Sequence, residues 1–240
     1  NNFTVNNLTS IDQTTDTCTN NFATFNPLIT NTSYQPNWAN GNLDVDSANN
    51  ALLWLGVSTI GVSSGKWYAE IKHKSNPYPI IGIDSDPSES ARTNTRLGGL
   101  STSWGYNGSG SGEVQNNNSG ISYTCDSFTV NDIIGVYLDL DNNKLYFAKN
   151  GTIQNSGTGI SITAPASTPS GFYFIGIADG DNASSTKFLG NFGNPPYSIT
   201  SSNTDPNGYG NFEYDPSAGT FDGSSKSFYA LNSKNLAEYG

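Results

Sequence analysis

The sequence predicts an all-β protein: many short antiparallel strands arranged as a sandwich or barrel, with little or no helix. Three observations predict it. The stretch Ile133–Gly151, IIGVYLDLDNNKLYFAKNG, places Ile134, Val136, Leu138 and Leu140 on one face and Gly135, Tyr137, Asp139 and Asp141 on the other. That period of two marks a half-buried strand. Asn142-Asn143 and Asn150-Gly151 have the residue types of two-residue type I′ turns, so the stretch reads as an antiparallel meander. Finally, only 12% of the 240 residues are charged, and turn-forming Gly, Asn and Ser alternate with Val, Ile, Tyr and Phe. This is the composition of many short strands joined by uncharged turns.

Taken in order, Asn1 to Asp16 is polar, with one alternating piece at Phe3, Val5 and Leu8. Asn21 to Asp46 reads as short strands and loops, Leu52 to Val62 as a strand, and Val62 to Gly65 as a turn. Lys66 to Lys74 alternates cleanly, with Trp67, Ala69, Ile71 and His73 inward and Tyr68, Glu70, Lys72 and Lys74 outward. Pro79 to Asp84 is a short apolar strand. Ser101 to Ser122 reads as the longest structureless stretch, with Trp104 and Tyr106 its only aromatics. Long loops of this kind are usually functional or disordered. Phe172 to Asp179 is apolar on both faces, the mark of a central strand. Lys187 to Phe192 and Ser227 to Leu231 complete the strands, and Ser233 to Tyr239 is the sole candidate for a helical turn. With no repeat and no linker, residues 1–240 read as one domain.

The net charge of −10 and pI of 4.3 disfavour nucleic acid as a partner, because a phosphate backbone would be repelled. No apolar run approaches the roughly 20 residues that span a bilayer, so no membrane insertion is expected. Cys18 and Cys125 are read as buried free thiols rather than a bridge.

Catalytic constellations find little support. His73 is the one histidine, and its phase places it inward on a strand, where packing is the better reading than a Ser-His-Asp triad. A glycosidase needs two carboxylates at a set separation, and Glu213-Tyr-Asp215 lacks the second glutamate, with Ala218 in its place. Asp-x-Asp pairs occur at Asp44/Asp46, Asp84/Asp86, Asp139/Asp141 and Asp179/Asp181. Calcium needs six or more converging oxygens, and strand-end and turn aspartates explain all four pairs. The expectation is no cofactor, no metal and no enzymatic activity. Seven N-x-S/T sequons are accounted for by chance in a chain this rich in Asn, Ser and Thr.

SGKWYAEI (Ser64–Ile71), IIGID (Ile80–Asp84), WGYNGSG (Trp104–Gly110), NDIIGVYLDLDNNKLYFAKNG (Asn131–Gly151), FYFIGIAD (Phe172–Asp179) and LGNFG (Leu189–Gly193) follow one another along the chain. In that order and spacing they resemble the SPRY domain, which implies one concanavalin-like sandwich of two antiparallel sheets. The resemblance places a SPRY-like core at about residues 64–193, with both flanks packing on it. It implies a module that binds partners through loops at one end of the sandwich. The flanks TNNFATFNPL (Thr19–Leu28), NPPYSI (Asn194–Ile199), NGYGNFEY (Asn207–Tyr214) and ALNSKNLAEYG (Ala230–Gly240) resemble pieces that surround SPRY modules in virion proteins of marine tailed bacteriophages.

That resemblance implies one domain of a longer virion protein, assembled in the host cytoplasm, whose partners are other virion proteins and a host surface carbohydrate or protein. A tail-fibre or spike module is the first reading, and a decoration module on capsid or tail the second. Either setting implies a homo-oligomeric arrangement in the particle. Aromatic side chains on loops dominate binding hot spots. Trp104, Tyr106, Tyr78 and Tyr123 are therefore the expected binding residues, with capping of the sandwich the alternative for each and the better reading for Trp104 and Tyr106, and with Gly108 to Gly120 as a mobile rim.

Overall fold

The computed structural model describes residues 16–29, 36–47, 56–75, 78–88, 95–180 and 184–240. The expected strand piece at Phe3–Leu8, the start of the Leu52–Val62 strand and Asp181 lie outside these residues.

Two sheets form the molecule. The first runs in the order β1 (Asn37–Ala39), β2 (Asp44–Asp46), β14 (Lys187–Asn191), β4 (Lys66–Ser75), β9 (Ile133–Asp139), β10 (Lys144–Lys149) and β11 (Thr152–Ile153). Two short strands join it off this path: β12 (Ile160–Ser161) pairs with β10, and β15 (Tyr229–Ala230) pairs in parallel with β4. The second sheet runs β3 (Gly56–Val57), β13 (Phe174–Asp179), β5 (Pro79–Asp84), β6 (Ser103–Asn107), β7 (Glu113–Asn116) and β8 (Ser119–Gly120). The inner faces meet in one core. Trp67, Ala69, Ile71, Ile134, Val136, Leu138 and Phe147 from the first sheet pack with Ile81, Ile83, Trp104, Tyr106, Ile175 and Ile177 from the second. The all-β sandwich expected from the sequence is the observed fold, and β13 lies inside its sheet between β3 and β5.

Two local expectations need correction. Ser101 to Ser122 is not structureless: it forms the antiparallel ladder β6–β7–β8, with Trp104 opposite Asn116 and Gln115 opposite Gly120. Asn and Gly there supply turns, with positive φ at Asn117 and Asn118, rather than disorder. The Asn142-Asn143 turn is not a two-residue I′ turn. Asp139 pairs with Lys144 across a four-residue loop, Asn143 is left-handed (φ 53°), and Asn142 is instead held by the Asp139 carboxylate. Asn150-Gly151 does form the expected turn, with φ of 48° and 77°. The helical candidate is a true α-helix, α1 (Ser233–Tyr239), capped by the Asn232 side chain accepting from Asn235 N–H.

The largest departure concerns the outer face of the first sheet. Period two predicts that β9 is half-buried, yet every residue of β9 is buried. The segment after Gly193 folds back over this face and brings Phe212, Phe221 and Phe228 onto Tyr68, Tyr137 and Tyr146 in a second aromatic core. Gly135 makes room for it: a Cβ there would lie 2.9 Å from the Tyr137 ring and 3.1 Å from the Tyr68 ring.

Three buried carboxylates tie this segment down. Glu70 accepts from the backbone N–H groups of Glu213 (3.1 Å) and Tyr214 (2.7 Å). Asp139 takes the Lys226 ammonium at 2.8 Å. Asp205 accepts from Ala230 N–H and the Asn235 amide, which fixes β15 and α1 together. β14 pairs with β4 from Ser75 to Glu70, and β15 takes over at Trp67 and Tyr68. The C-terminal segment thus completes the β4 edge that β14 leaves.

Candidate functional site

The antiparallel register brings one set of strand ends together. Ser75 of β4, Pro79 of β5, Asn107 of β6 and Ile133 of β9 lie at the same end of the sandwich. Between them opens a groove of about 660 Å³ lined by His73, Tyr78, Pro79, Phe128 and Val130 with Gly108, Gly110 and the hydroxyl residues Ser109, Ser127 and Thr129. No Asp, Glu, Lys or Arg lines it among the described residues.

Its walls are fixed by backbone bonds between loops. Gly108 N–H donates to Pro79 O (2.9 Å), Phe128 N–H to Gly108 O (3.2 Å), Gly180 N–H to Tyr78 O (2.8 Å), and Asn131 N–H to His73 O (2.8 Å). Gly108 lies flat against the buried Phe128 ring, which a Cβ would meet at 2.7 Å. Tyr78 holds φ of 71°, a left-handed conformation uncommon for an aromatic residue and characteristic of constrained functional positions. Tyr78 and Val130 are 42% and 45% exposed, two of the four large apolar side chains in that state among the described residues.

The four expected binding residues divide. Tyr78 is exposed and lines the groove. Trp104, Tyr106 and Tyr123 do not project from loops; they are 4%, 0% and 8% exposed. Strand β6 points Trp104 and Tyr106 inward, Trp104 edge-on to Tyr173 and Tyr106 onto Phe128 and Phe147. The Tyr106 hydroxyl donates to Asp126 O, and the Tyr123 hydroxyl accepts from Phe147 N–H at 3.2 Å. Burial pushes both phenols up from their usual range. Only edges of Trp104 and Tyr123 reach a smaller hollow of about 350 Å³ beside β12. Trp104 and Tyr106 serve packing, because a WGY block that falls in a strand rather than a loop must alternate and turn its large rings to the core, and Tyr123 packs its ring against Phe147. Phe128 and Val130 of the groove were not singled out from sequence. Their signal is an apolar pair in FTVND, directly before a strand and inside a turn, where apolar side chains have no local reason to be.

Asp132 shapes the rim. Its Oδ2 accepts from Thr129 N–H at 2.7 Å, its Oδ1 from the Asn150 amide at 2.7 Å, and Lys149 lies 3.5 Å away. Partial burial pushes its pKa up, but the Thr129 N–H, Asn150 and Lys149 together outweigh that and hold it below the usual carboxylate range. A lowered folded-state value contributes stability above the unfolded value and loses it as pH falls through the folded one. The amide signals of Thr129 and Val130 are therefore expected to titrate with a midpoint below about 3.9, the ordinary aspartate value. A two-dimensional NMR pH series checks this, and Asp132→Asn should abolish the transition.

The other candidates for chemistry have partners within the fold. His73 is buried, with Nε2 2.9 Å from Ser75 O and its ring near Phe128 and Phe188. Glu213 accepts from Thr200, and Asp215 from Ser217 N–H. Asp44 and Asp46 pair with Lys74 (2.6 Å) and Lys187 (2.7 Å), Asp84 accepts from Asp86 N–H, and Asp179 from the Ser47 hydroxyl. No group of three His, Cys, Asp or Glu able to hold a metal occurs among the described residues. Both cysteines are free, as expected, but Cys18 is exposed and Cys125 half-buried rather than both buried. Burial pushes the Cys125 thiol up to about 11, away from a reactive thiolate. No helix among the described residues is long and apolar enough to cross a membrane.

The SPRY-domain family model matches residues 42–173, more than half of the chain. The chain belongs to the SPRY family. Among solved structures, it is similar to the crystal structure of the SPRY domain of human HERC1, with a TM-score of 0.48 and 16% identity over 69% of this chain and 96% of that one. No curated protein matches it significantly. The groove of this SPRY protein lies within the matched span, whereas the segment that covers the outer face lies beyond it.

Proposed function

We propose that this chain is a non-enzymatic binding module of a tailed-bacteriophage virion protein, and that it docks on a host surface protein through the groove between Tyr78 and Val130. The groove carries the reading. It is apolar, free of formal charge, held open by interlocked loops, and rimmed by two exposed apolar side chains, whereas the other large apolar side chains among the described residues are mostly buried. Preformed apolar concavities with a few polar groups are the usual form of a recognition site. The absence of charge selects an apolar, uncharged feature of the partner. The virion setting is supported by the likeness of the flanking segments to those of phage virion proteins. The buried carboxylates Glu70, Asp139 and Asp205 are each engaged in holding the C-terminal segment, which supports a scaffold role for them rather than acid–base work.

Cryo-electron microscopy of intact particles and adsorption assays test this together. Density at the distal end of a tail appendage is expected, and Tyr78→Ser with Val130→Ser should slow adsorption by about tenfold or more, the effect of losing one or two central apolar contacts. Density repeated over the head lattice, or unchanged adsorption by the double variant, would refute it.

A further inference from the structure

A second pocket, of about 410 Å³, opens at the other end of β4. Gly65, Lys66 and Asp141 come from the sandwich; Ser225, Lys226, Ser227, Tyr229 and Tyr239 come from the C-terminal segment. Lys66 and His73 stand seven residues apart on β4, so the pocket and the groove are separated by about 23 Å along the strand. The pocket exists only where segment and sandwich meet.

Charge is balanced at its base. Asp139 is fully buried and receives Lys226 at 2.8 Å, with Lys66 4.0 Å away on the other oxygen. Lys66 also pairs with Asp141, whose second oxygen accepts from Gly65 N–H at 2.9 Å. Two ammonium groups thus face two carboxylates. An ammonium has three N–H groups, and Lys226 directs two of them to Asp139 and to the Tyr146 hydroxyl (2.9 Å). The remaining N–H, the Asp141 carboxylate and the exposed Ser225 and Ser227 hydroxyls offer both donors and acceptors to a ligand. One wall is aromatic: Tyr229 and Tyr239 stack with centroids 3.9 Å apart and planes 16° apart.

This set opposes the simpler ligands. A phosphate would meet two aspartates, a metal cation would meet two lysines, and a purely apolar group would strand the polar lining. A neutral ring with hydroxyls at its edge and C–H bonds on its face satisfies all of it, because the negative face of an aromatic ring attracts such C–H bonds. We propose that this seam pocket binds one neutral pyranose unit of a glycan.

Saturation-transfer NMR on the full chain tests it, with the methyl glycosides of glucose, galactose, mannose and N-acetylglucosamine as probes. Transfer to the ring protons of at least one glycoside is expected. It should be lost in Tyr239→Leu and in Lys66→Gln, and retained in Val130→Ser, which alters the distant groove. Lys66 pairs with the part-exposed Asp141, and the buried Asp139 keeps its closer partner Lys226, so Lys66→Gln should fold normally and carries the test if Tyr239→Leu does not. No transfer to any glycoside, transfer that survives Lys66→Gln, or displacement of the glycoside by inorganic phosphate would overturn the proposal.

Discussion

Glu70→Ala is expected to lower the unfolding free energy by at least about 3 kcal/mol, since stranding a buried donor costs about 1–3 kcal/mol and several are stranded together. Glu70 is fully buried and accepts from Tyr214 N–H (2.7 Å) and the Tyr68 hydroxyl (3.0 Å) on Oε1. On Oε2 it accepts from Asn191 Nδ2 (3.0 Å), Glu213 N–H (3.1 Å) and the Tyr197 hydroxyl (3.3 Å). Tyrosine hydroxyls can rotate to accept instead; backbone N–H groups cannot. Each carboxylate oxygen receives one backbone N–H, so a glutamine in either orientation sets its own NH₂ against one of them. Glu70→Gln should therefore also destabilise, by about 1–3 kcal/mol.

Burial raises the Glu70 carboxyl above its usual range, although the bonds from Tyr214, Glu213, Tyr68 and Asn191 pull the other way. A raised value means that the folded state binds more protons than the unfolded one in that window. The contribution of this group accordingly declines as pH rises through it, opposite in sign to Asp132. Urea midpoints of the wild type and both variants decide the matter; a Glu70→Gln midpoint equal to wild type would show that the network does not hold the C-terminal segment.

Ending the chain after Gly193 is expected to abolish cooperative folding. The cut keeps the whole SPRY-like core at residues 64–193 but removes Phe212, Phe221 and Phe228 from the outer face of the first sheet. Burying one phenylalanine contributes about 1.5–3 kcal/mol. Three such losses approach the whole stability of a typical domain, about 5–15 kcal/mol. The cut also uncovers Tyr68, Tyr137 and Tyr146 as a contiguous apolar patch, leaves Glu70 without its two backbone donors, and separates Asp139 from Lys226. Lost near-ultraviolet circular dichroism and aggregation are the expected readouts. A soluble 1–193 fragment with a sharp thermal transition would mean that the segment is an accessory rather than part of the fold.

Much of this architecture was legible in the sequence. Trp67, Ala69 and Ile71 alternate with polar or tyrosine neighbours, and Ile134, Val136 and Leu138 do the same. Both sets face the core because period two is a local property of an extended chain. Asn150-Gly151 specified its turn for the same reason: the φ values that asparagine and glycine tolerate are fixed by local sterics. The ordered blocks of the SPRY pattern likewise sit along one stretch of chain.

The tertiary structure decided what alternation leaves open. Period two separates the two faces of a strand without saying what covers either one. Tyr68 and Glu70 read as outward, and they are outward, yet both are fully buried because a segment more than 120 residues later lies across them. Trp104 and Tyr106 read as loop aromatics, and the pairing of β6 with β5 and β7 turned them into core. The groove and the seam pocket draw residues from Tyr78 to Val130 and from Gly65 to Tyr239. No local pattern specifies such sites, since they arise only when strand register sets loop ends side by side and when distant buried charges find their partners.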